Sequence, residues 1–414
     1  MELLKKNKIE INSSDKFYLI LLGIYPASLI MGNFFINLFI LFFSIIFFLN
    51  IKKNKIFLKE NFFYIFLFFF FSLIVNVFFS QDPLNSLPRV IKVIFIIFFV
   101  IEIKRLLQLN DRSILDYVYR TWFLILLILI FDIIFEIIVG RNIIGNTSYM
   151  EGRVATLFGD ELVAGAFFHG FALFFLSYLV SKKYNNYFLI GALTVIVLTS
   201  FLIGERSNFI KLFISVILFS WITLEINYKK KIFSFFLIFI SLIFILNLNK
   251  DYKIRYFDQI KTLFTKNGIS NYMKQSQYGA HQNAAFKIFQ EYPYFGVGIK
   301  NFRNESSKSK YKNEEYTYTH LRNASHPHQT HYEILSETGM IGYLSFLFFI
   351  TMSLWLSLKN YFRKRNIFQL SAIIFIFSSL LPLIPSGSFL STFNSGIFWL
   401  NYAIMIGYIS KIKS

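Results

Sequence analysis

Three of the six histidines fall within six residues: His326, His328 and His331, in "ASHPHQTHYEILSETGMIG". Neutral imidazoles ligate zinc, and Glu333 offers a carboxylate beside them. The order H-x-H-x-x-H is not a stereotyped zinc spacing, however, so no metal and no cofactor is expected. Imidazole also has a reference pKa of about 6.5 and takes a proton near neutral pH. A general base is therefore the leading reading, with a structural cluster as the alternative. A second polar interruption is "FLIGERSNFIKLF", where Arg206 opens an apolar run and Lys211 follows just over a turn later. An arginine fork matches phosphate oxygens bidentately, and the amides that open a helix add to an anion site. The alternative is a clamp in which Arg206 pairs with Glu205 or Glu161. His169, in "GAFFHGFALFF", reads as a helix-contact histidine rather than a proton relay.

The elements that must position these groups are membrane helices. Of 414 residues, 55% are hydrophobic and 20% aromatic, and the mean hydropathy is +0.54. Long apolar runs recur from end to end, which gives an all-α, polytopic integral membrane protein. Spans are expected near 15–31, 33–50, 61–79, 88–103, 117–139, 160–181, 187–204, 208–226, 232–249, 334–358, 367–384 and 393–410, about twelve in all. Residues 15–50 as one helix would be about 54 Å long, so a break is expected at Gly32-Asn33. There is no cysteine, hence no disulfide framework. The basic, then apolar, N-terminus lacks a small-residue cleavage site and reads as an uncleaved first span.

The net charge of +19 reads as topology rather than nucleic-acid binding. Basic residues crowd alternate loops: Lys5, Lys6, Lys8 and Lys16; Lys52, Lys53, Lys55 and Lys59; Lys104, Arg105, Arg112 and Arg120; Lys182 and Lys183; Lys229, Lys230 and Lys231; Lys359, Arg363, Lys364 and Arg365; Lys411 and Lys413. The opposite short loops hold little more than Arg89, Arg141, Arg153 and Arg206. That alternation puts both termini on the cytoplasmic side of the membrane. Residues 1–249 then hold spans one to nine, 250–333 form one large extracytoplasmic loop, and 334–414 hold the last three. In the loop, Phe257, Ile260 and Phe264 fall at helical spacing, so "YKIRYFDQIKTLFTK" reads as an interfacial amphipathic helix. A second helix, "GAHQNAAFKIFQEYP", is expected to stop at Pro293. No internal repeat is visible.

Charges inside spans are costly and mark sites. On this topology Lys92, Asp132, Glu136, Asp160, Glu161, Arg206, Lys211 and Glu337 gather at the outer leaflet, beside Arg141, Arg153 and the histidines. The cytoplasmic halves show fewer. A lipid-linked sugar flippase or other transporter would favour a central charged cavity and needs no long loop, so that reading ranks second.

These residues resemble the bacterial O-antigen ligase and O-antigen polymerase family. The family's late-loop pattern is His-Asn, an aliphatic stretch, then Glu-x-Gly-x-x-Gly. Here it reads "HQTHYEILSETGMIG", with His328-Gln329, Glu337, Gly339 and Gly342 in the matching places. "AAFKIFQEYPYFGVGIKNF", "FLIGERSNF" and "GRVATLFGDELVAGAFF" resemble three further family elements. One departure is the loop arginine of many members, where this chain has Tyr278 and His281. The resemblance implies a membrane glycosyltransferase with a polyprenyl-diphosphate-linked glycan donor. The acceptor would be lipid A-core or a second lipid-linked glycan, with membrane lipid around and no nucleic acid. It implies catalytic roles for His328 and Arg206. Arg153, Lys211, His281, Arg303, Arg322, His326, His331 and Glu337 would contact substrate, with Arg303 or Arg322 in place of the missing loop arginine. Tyr311, Tyr316 and Tyr318 would stack on sugars or anchor the loop at the interface.

Overall fold

The computed structural model describes residues 12–109, 112–258 and 261–409, without the side chains of Arg112 and Thr262. Lys5, Lys6, Lys8, Ile260, Lys411 and Lys413 therefore lie outside the described residues. Among those described there is no strand. The longer helices are α1 (Ser13–Met31), α2 (Asn33–Leu49), α3 (Asn61–Phe78), α4 (Pro83–Gln108), α5 (Arg112–Val139), α6 (Ala164–Ser181), α7 (Asn186–Leu202), α8 (Arg206–Thr223), α9 (Tyr228–Leu248), α10 (Gln277–Glu291), α11 (Thr330–Lys364), α12 (Ile367–Ser379) and α13 (Thr392–Gly407). Each expected span coincides with one of them. Seven are long and apolar enough to cross a membrane, or eight if α2 and the bent segment after it count as one. Twelve helices stand where spans are expected, but the count of twelve crossings is not reached by length and composition, and α7 and α12 are shorter apolar pieces.

Polar caps set the helix starts. Asp82 accepts from Asn85 N, Gln329 from Tyr332 N and Ser391 from Asn394 N, satisfying amides that a helix start leaves open. Gly32, at φ 101°, separates α1 from α2. Buried aromatics fill the bundle: Phe66 stacks on Trp399 at 5.0 Å and Phe69 on Phe349 at 5.2 Å. Helix α6 is buried along most of its length, and α9 along little of it.

The feature that fixes the loop is a break in α11 at Gly339 (φ 65°, ψ −168°). Breaking a helix frees backbone groups that must find partners. Residues 293–298 supply them. Val297 and Gly298 donate to Ser336 O and Glu337 O at 3.1 and 2.8 Å, and Met340 and Ile341 donate to Pro293 O and Tyr294 O at 2.8 and 3.2 Å. A Cβ on Gly339 would lie 2.3 Å from Tyr294 O, so the joint requires glycine. The same segment is tied to the α3–α4 junction. Asn76 bonds Phe295 O and Glu337 O, and Ser86 bonds Ile299 O.

One expectation needs correction. The stretch 252–266 is not one amphipathic helix. It breaks into a π-turn at Ile254–Asp258 and a 3-10 turn at Lys261–Phe264. Some charges are embedded at the opposite end as well. At the other end of α4, buried Arg105 bonds Asp15 and Glu102 at 2.7 and 2.5 Å, and buried Lys104 pairs with Glu60 at 3.2 Å. These pairs join helix ends that sequence distance hides: Lys104 also donates to Ile406 O beyond 300 residues away.

Candidate functional site

At the loop-bearing end, a cavity of about 290 Å³ lies between α6, α8, α12 and α13. Four cations line it: Arg153, Arg206, Lys211 and Arg255. Glu205 is the one carboxylate in the lining. His328, Tyr278, His169 and the segment 385–389 complete the wall around them.

Each cation arrives by its own element. Arg206 and Lys211 stand on the first turns of α8. Arg153 is carried by an irregular segment that two carboxylates of α5 hold. Glu136 accepts from Ala155 N and Thr156 N, both at 2.7 Å, and Asp132 accepts from Ile143 N at 2.9 Å. Hydrogen bonds from amides to a carboxylate are among the stronger ones and hold this segment in place. Gly204, at φ 80°, lets this segment approach, since a Cβ there would meet Gly152 O. Arg255 comes from the π-turn and donates to Gly204 O. Its ionisation is held below the ordinary arginine value by burial and then by Arg153 and Arg206, so the three guanidinium groups share one field.

Glu205 does not neutralise Arg206. It pairs with Arg153 at 3.0 Å and accepts from Gly165 N at 2.9 Å and Asn208 Nδ2 at 2.6 Å. Arg206 forms no ion pair among the described residues, and its Nη1 is buried without a hydrogen-bond partner. A buried, unpaired guanidinium N–H costs free energy, which an anion in the cavity would recover.

His328 sits in the left-handed region at φ 57°, and its carbonyl accepts from Ser386 N at 2.8 Å. Its ring lies 4.1 Å from that of His326, 5.0 Å from His281 and 5.4 Å from Tyr278. Burial, then the neighbouring His281, lowers its pKa to about 4. Burial, then His328 and Lys300, lowers that of His326 to about 3. His281 is lowered chiefly by burial. All three rings are therefore neutral at pH 7.

The cleft is thus cationic, with an unpaired arginine and a neutral imidazole in its wall. The sequence model of the O-antigen ligase family matches residues 189–347. This match supports the O-antigen ligase and polymerase family. No curated protein matches the chain. The family segment contains Arg206, Lys211, Arg255, Tyr278, His281 and His328. Arg153, His169 and the 385–398 wall lie outside it, so the cleft is built jointly by the family segment and the rest of the chain.

Of the residues expected at a site, His328, Arg206, Arg153 and Lys211 line the cavity, and His281 and His326 support the His328 ring. The others do not line it. Arg303 is exposed on a short turn. Arg322 ties the loop together, donating to Thr319 O, Ser307 O and Lys308 O. His331 bridges Tyr343 and Leu380 O. Glu337 is buried in the Gly339 joint. Tyr311 is buried and bonds Glu291 and Glu305 at 2.6 and 2.9 Å, while Tyr316 and Tyr318 are half-buried. His169 bonds Ser378 at 2.8 Å as a helix contact, yet it also faces the cavity floor. Arg255 is the functional candidate that sequence reasoning missed. The signal available was a lone arginine in the stretch read as an interfacial helix.

Proposed function

We propose that this chain is a membrane glycosyltransferase of the O-antigen ligase type, working at the outer face of the bacterial cytoplasmic membrane. The observation that carries this reading is one cavity shared by His328 and four cations, with Arg206 unpaired among the described residues. The donor is a glycan on a polyprenyl diphosphate, and the acceptor is a sugar hydroxyl of lipid A-core. Arg206, Arg153, Arg255 and Lys211 bind the diphosphate. Arg255 takes the place of the family's loop arginine. His328 accepts the proton of the acceptor hydroxyl. The oxygen then bonds to the anomeric carbon, and the bond from that carbon to the diphosphate oxygen breaks, its electron pair leaving with the diphosphate. Fixed cations stabilise that growing charge without reorganising, which is effective in a site of low dielectric. Placing both reactants in one cleft supplies the remaining gain through proximity.

A pKa of about 4 makes free His328 a weak base. Donor binding corrects this, because a diphosphate in the cavity favours imidazolium and raises the pKa toward neutrality. The test in cells is deletion of the protein followed by gel analysis of lipopolysaccharide. Loss of a ligase leaves polymer on its carrier and bare lipid A-core. Core capped with a single repeat would instead assign repeat-unit polymerisation. Unchanged long-chain polysaccharide would refute both. The reaction needs no metal on this reading, so activity of purified protein should survive excess chelator.

A further inference from the structure

A second group of cations lies outside the cavity. Arg89 and Lys92 project from the first turns of α4, and Lys300 comes from the loop segment docked at the Gly339 joint. Arg89 stands one turn before Lys92 on α4, and Lys92 and Lys300 reach the same segment, 388–392. None of the three forms an ion pair among the described residues. Among the described residues the two lysines hydrogen-bond to hydroxyls: Lys92 Nζ donates to Thr392 at 3.0 Å and Lys300 Nζ to Ser388 at 3.4 Å. Glu333, the carboxylate behind Ser388, is already engaged by Ser388 Oγ and the Phe389 amide.

The partition between the two cation groups is thin. Ser386, Gly387, Phe389 and Asn394 line the first cavity, whereas Ser388 and Thr392 of the same segment hold the second set of cations. On the other strand of the partition, His328 lines the cavity while His326 feels Lys300, and His326 Nε2 is buried without a partner. Lys300 and His328 both adopt left-handed backbone, at φ 67° and 57°. Such conformations cost about 1 kcal/mol or more and persist where the surroundings impose them. Here Asn85 holds the Lys300 carbonyl at 2.9 Å. Residues 326–328 thus meet both groups: His328 shares the cavity with the first, and His326 lies within the electrostatic reach of Lys300.

We propose that Arg89, Lys92 and Lys300 form a second anion site, which binds a phosphate of the acceptor glycolipid. The inference rests on the glycosyltransferase reading and adds which residues hold the acceptor's phosphate. Two anionic substrates brought to His328 would otherwise repel each other, and separate cation sets remove that cost.

The test uses full-length protein in lipid nanodiscs. Acceptor binding without donor is measured with lipid A-core, with the same glycolipid after phosphatase treatment, and with a polyprenyl-diphosphate-linked repeat unit. Steady-state transfer is then measured for the wild type, Lys92→Gln, Lys300→Gln and Arg89→Gln, with Lys300→Arg as the charge-retaining control. Each charge removal should weaken binding of a phosphorylated acceptor about tenfold, the scale of one hydrogen bond to a charged group. The acceptor KM should rise equally, with donor KM unchanged and kcat within about twofold. Lys300→Arg should restore binding. Whichever phosphorylated acceptor shows the effect identifies the source of the phosphate. A wild type that binds native and dephosphorylated acceptors equally, or variants that raise donor KM instead, would overturn the inference. Loss of acceptor binding in the variants without transfer by the wild type would uphold this anion site and refute the glycosyltransferase reading.

Discussion

Arg153, not Arg206, holds the carboxylate of Glu205, at 3.0 Å. Adjacent residues in sequence are thereby uncoupled, and the arginine that opens α8 keeps its fork for a ligand. Replacing Arg206 with Ala should lower transfer by about 10²–10³-fold, the usual cost of removing one group that stabilises developing charge. Arg206→Lys keeps the charge but loses the bidentate geometry, so its rate should fall between the two. Initial rates with a lipid-linked donor check this order.

The loop arginines separate by role. Arg255→Ala should weaken donor binding, raising donor KM, because Arg255 shares the cavity with Arg153 and Arg206. Arg303→Ala should leave both kinetic constants within about twofold. Arg322→Ala should loosen the loop, since three carbonyls lose their donor, and limited proteolysis would show faster cutting near 307–322.

The histidine cluster gives two pH dependences of opposite kind. His281, His326 and His328 are all held below the ordinary histidine pKa by burial. Below about pH 6.5 an unfolded loop binds protons that the folded loop refuses. Loop stability is therefore full above that pH and falls as acid approaches the folded values of about 4 and 3. Hydrogen exchange of residues 277–331 at pH 7.5 and 5 should show the loss. For turnover, kcat/KM reports the free protein and should fall in acid only near pH 4, whereas kcat, which reports the bound state, should fall at a higher pH. His281→Gln removes one lowering cause, so the acid limb of kcat/KM should move upward.

Much of the fold was legible because apolar length is a strong signal. All twelve expected spans coincide with helices, and the helix before Pro293 forms at Gln277–Glu291. Boundaries drifted where local chemistry overrides hydropathy. Helix α4 begins at Pro83 because Asp82 caps it, and it runs on to Gln108 because Glu102, Lys104 and Arg105 find buried partners. Helix α6 starts only at Ala164, after a turn in which Thr156 and Leu162 are left-handed. Of the site, His328, Arg206, Arg153 and Lys211 were readable from residue type and topology. Arg255 was not, since only the π-turn at Ile254–Asp258 sends it inward. The Glu-x-Gly-x-x-Gly motif was visible as a pattern, but its physical content, a helix break filled by residues 293–298, needs three dimensions.

That joint should be sensitive to one methyl group. Gly339→Ala meets both a positive φ and the Tyr294 carbonyl at 2.3 Å, so destabilisation of several kcal/mol is expected. Thermal melting in detergent should show a clear drop. At the other end of the bundle, Glu102→Gln leaves buried Arg105 with Asp15 as its carboxylate partner and should cost about 2 kcal/mol. Transfer per folded molecule should then remain near wild type, because the network lies away from the cavity.

The most direct measurement is single-turnover glycan transfer by purified protein in nanodiscs, with defined lipid-linked donor and glycolipid acceptor. Wild type should form product, and His328→Ala and Arg206→Ala, folded to the same melting temperature, should form product at least about 10²-fold more slowly. Product formed at the wild-type rate by either variant would contradict the account.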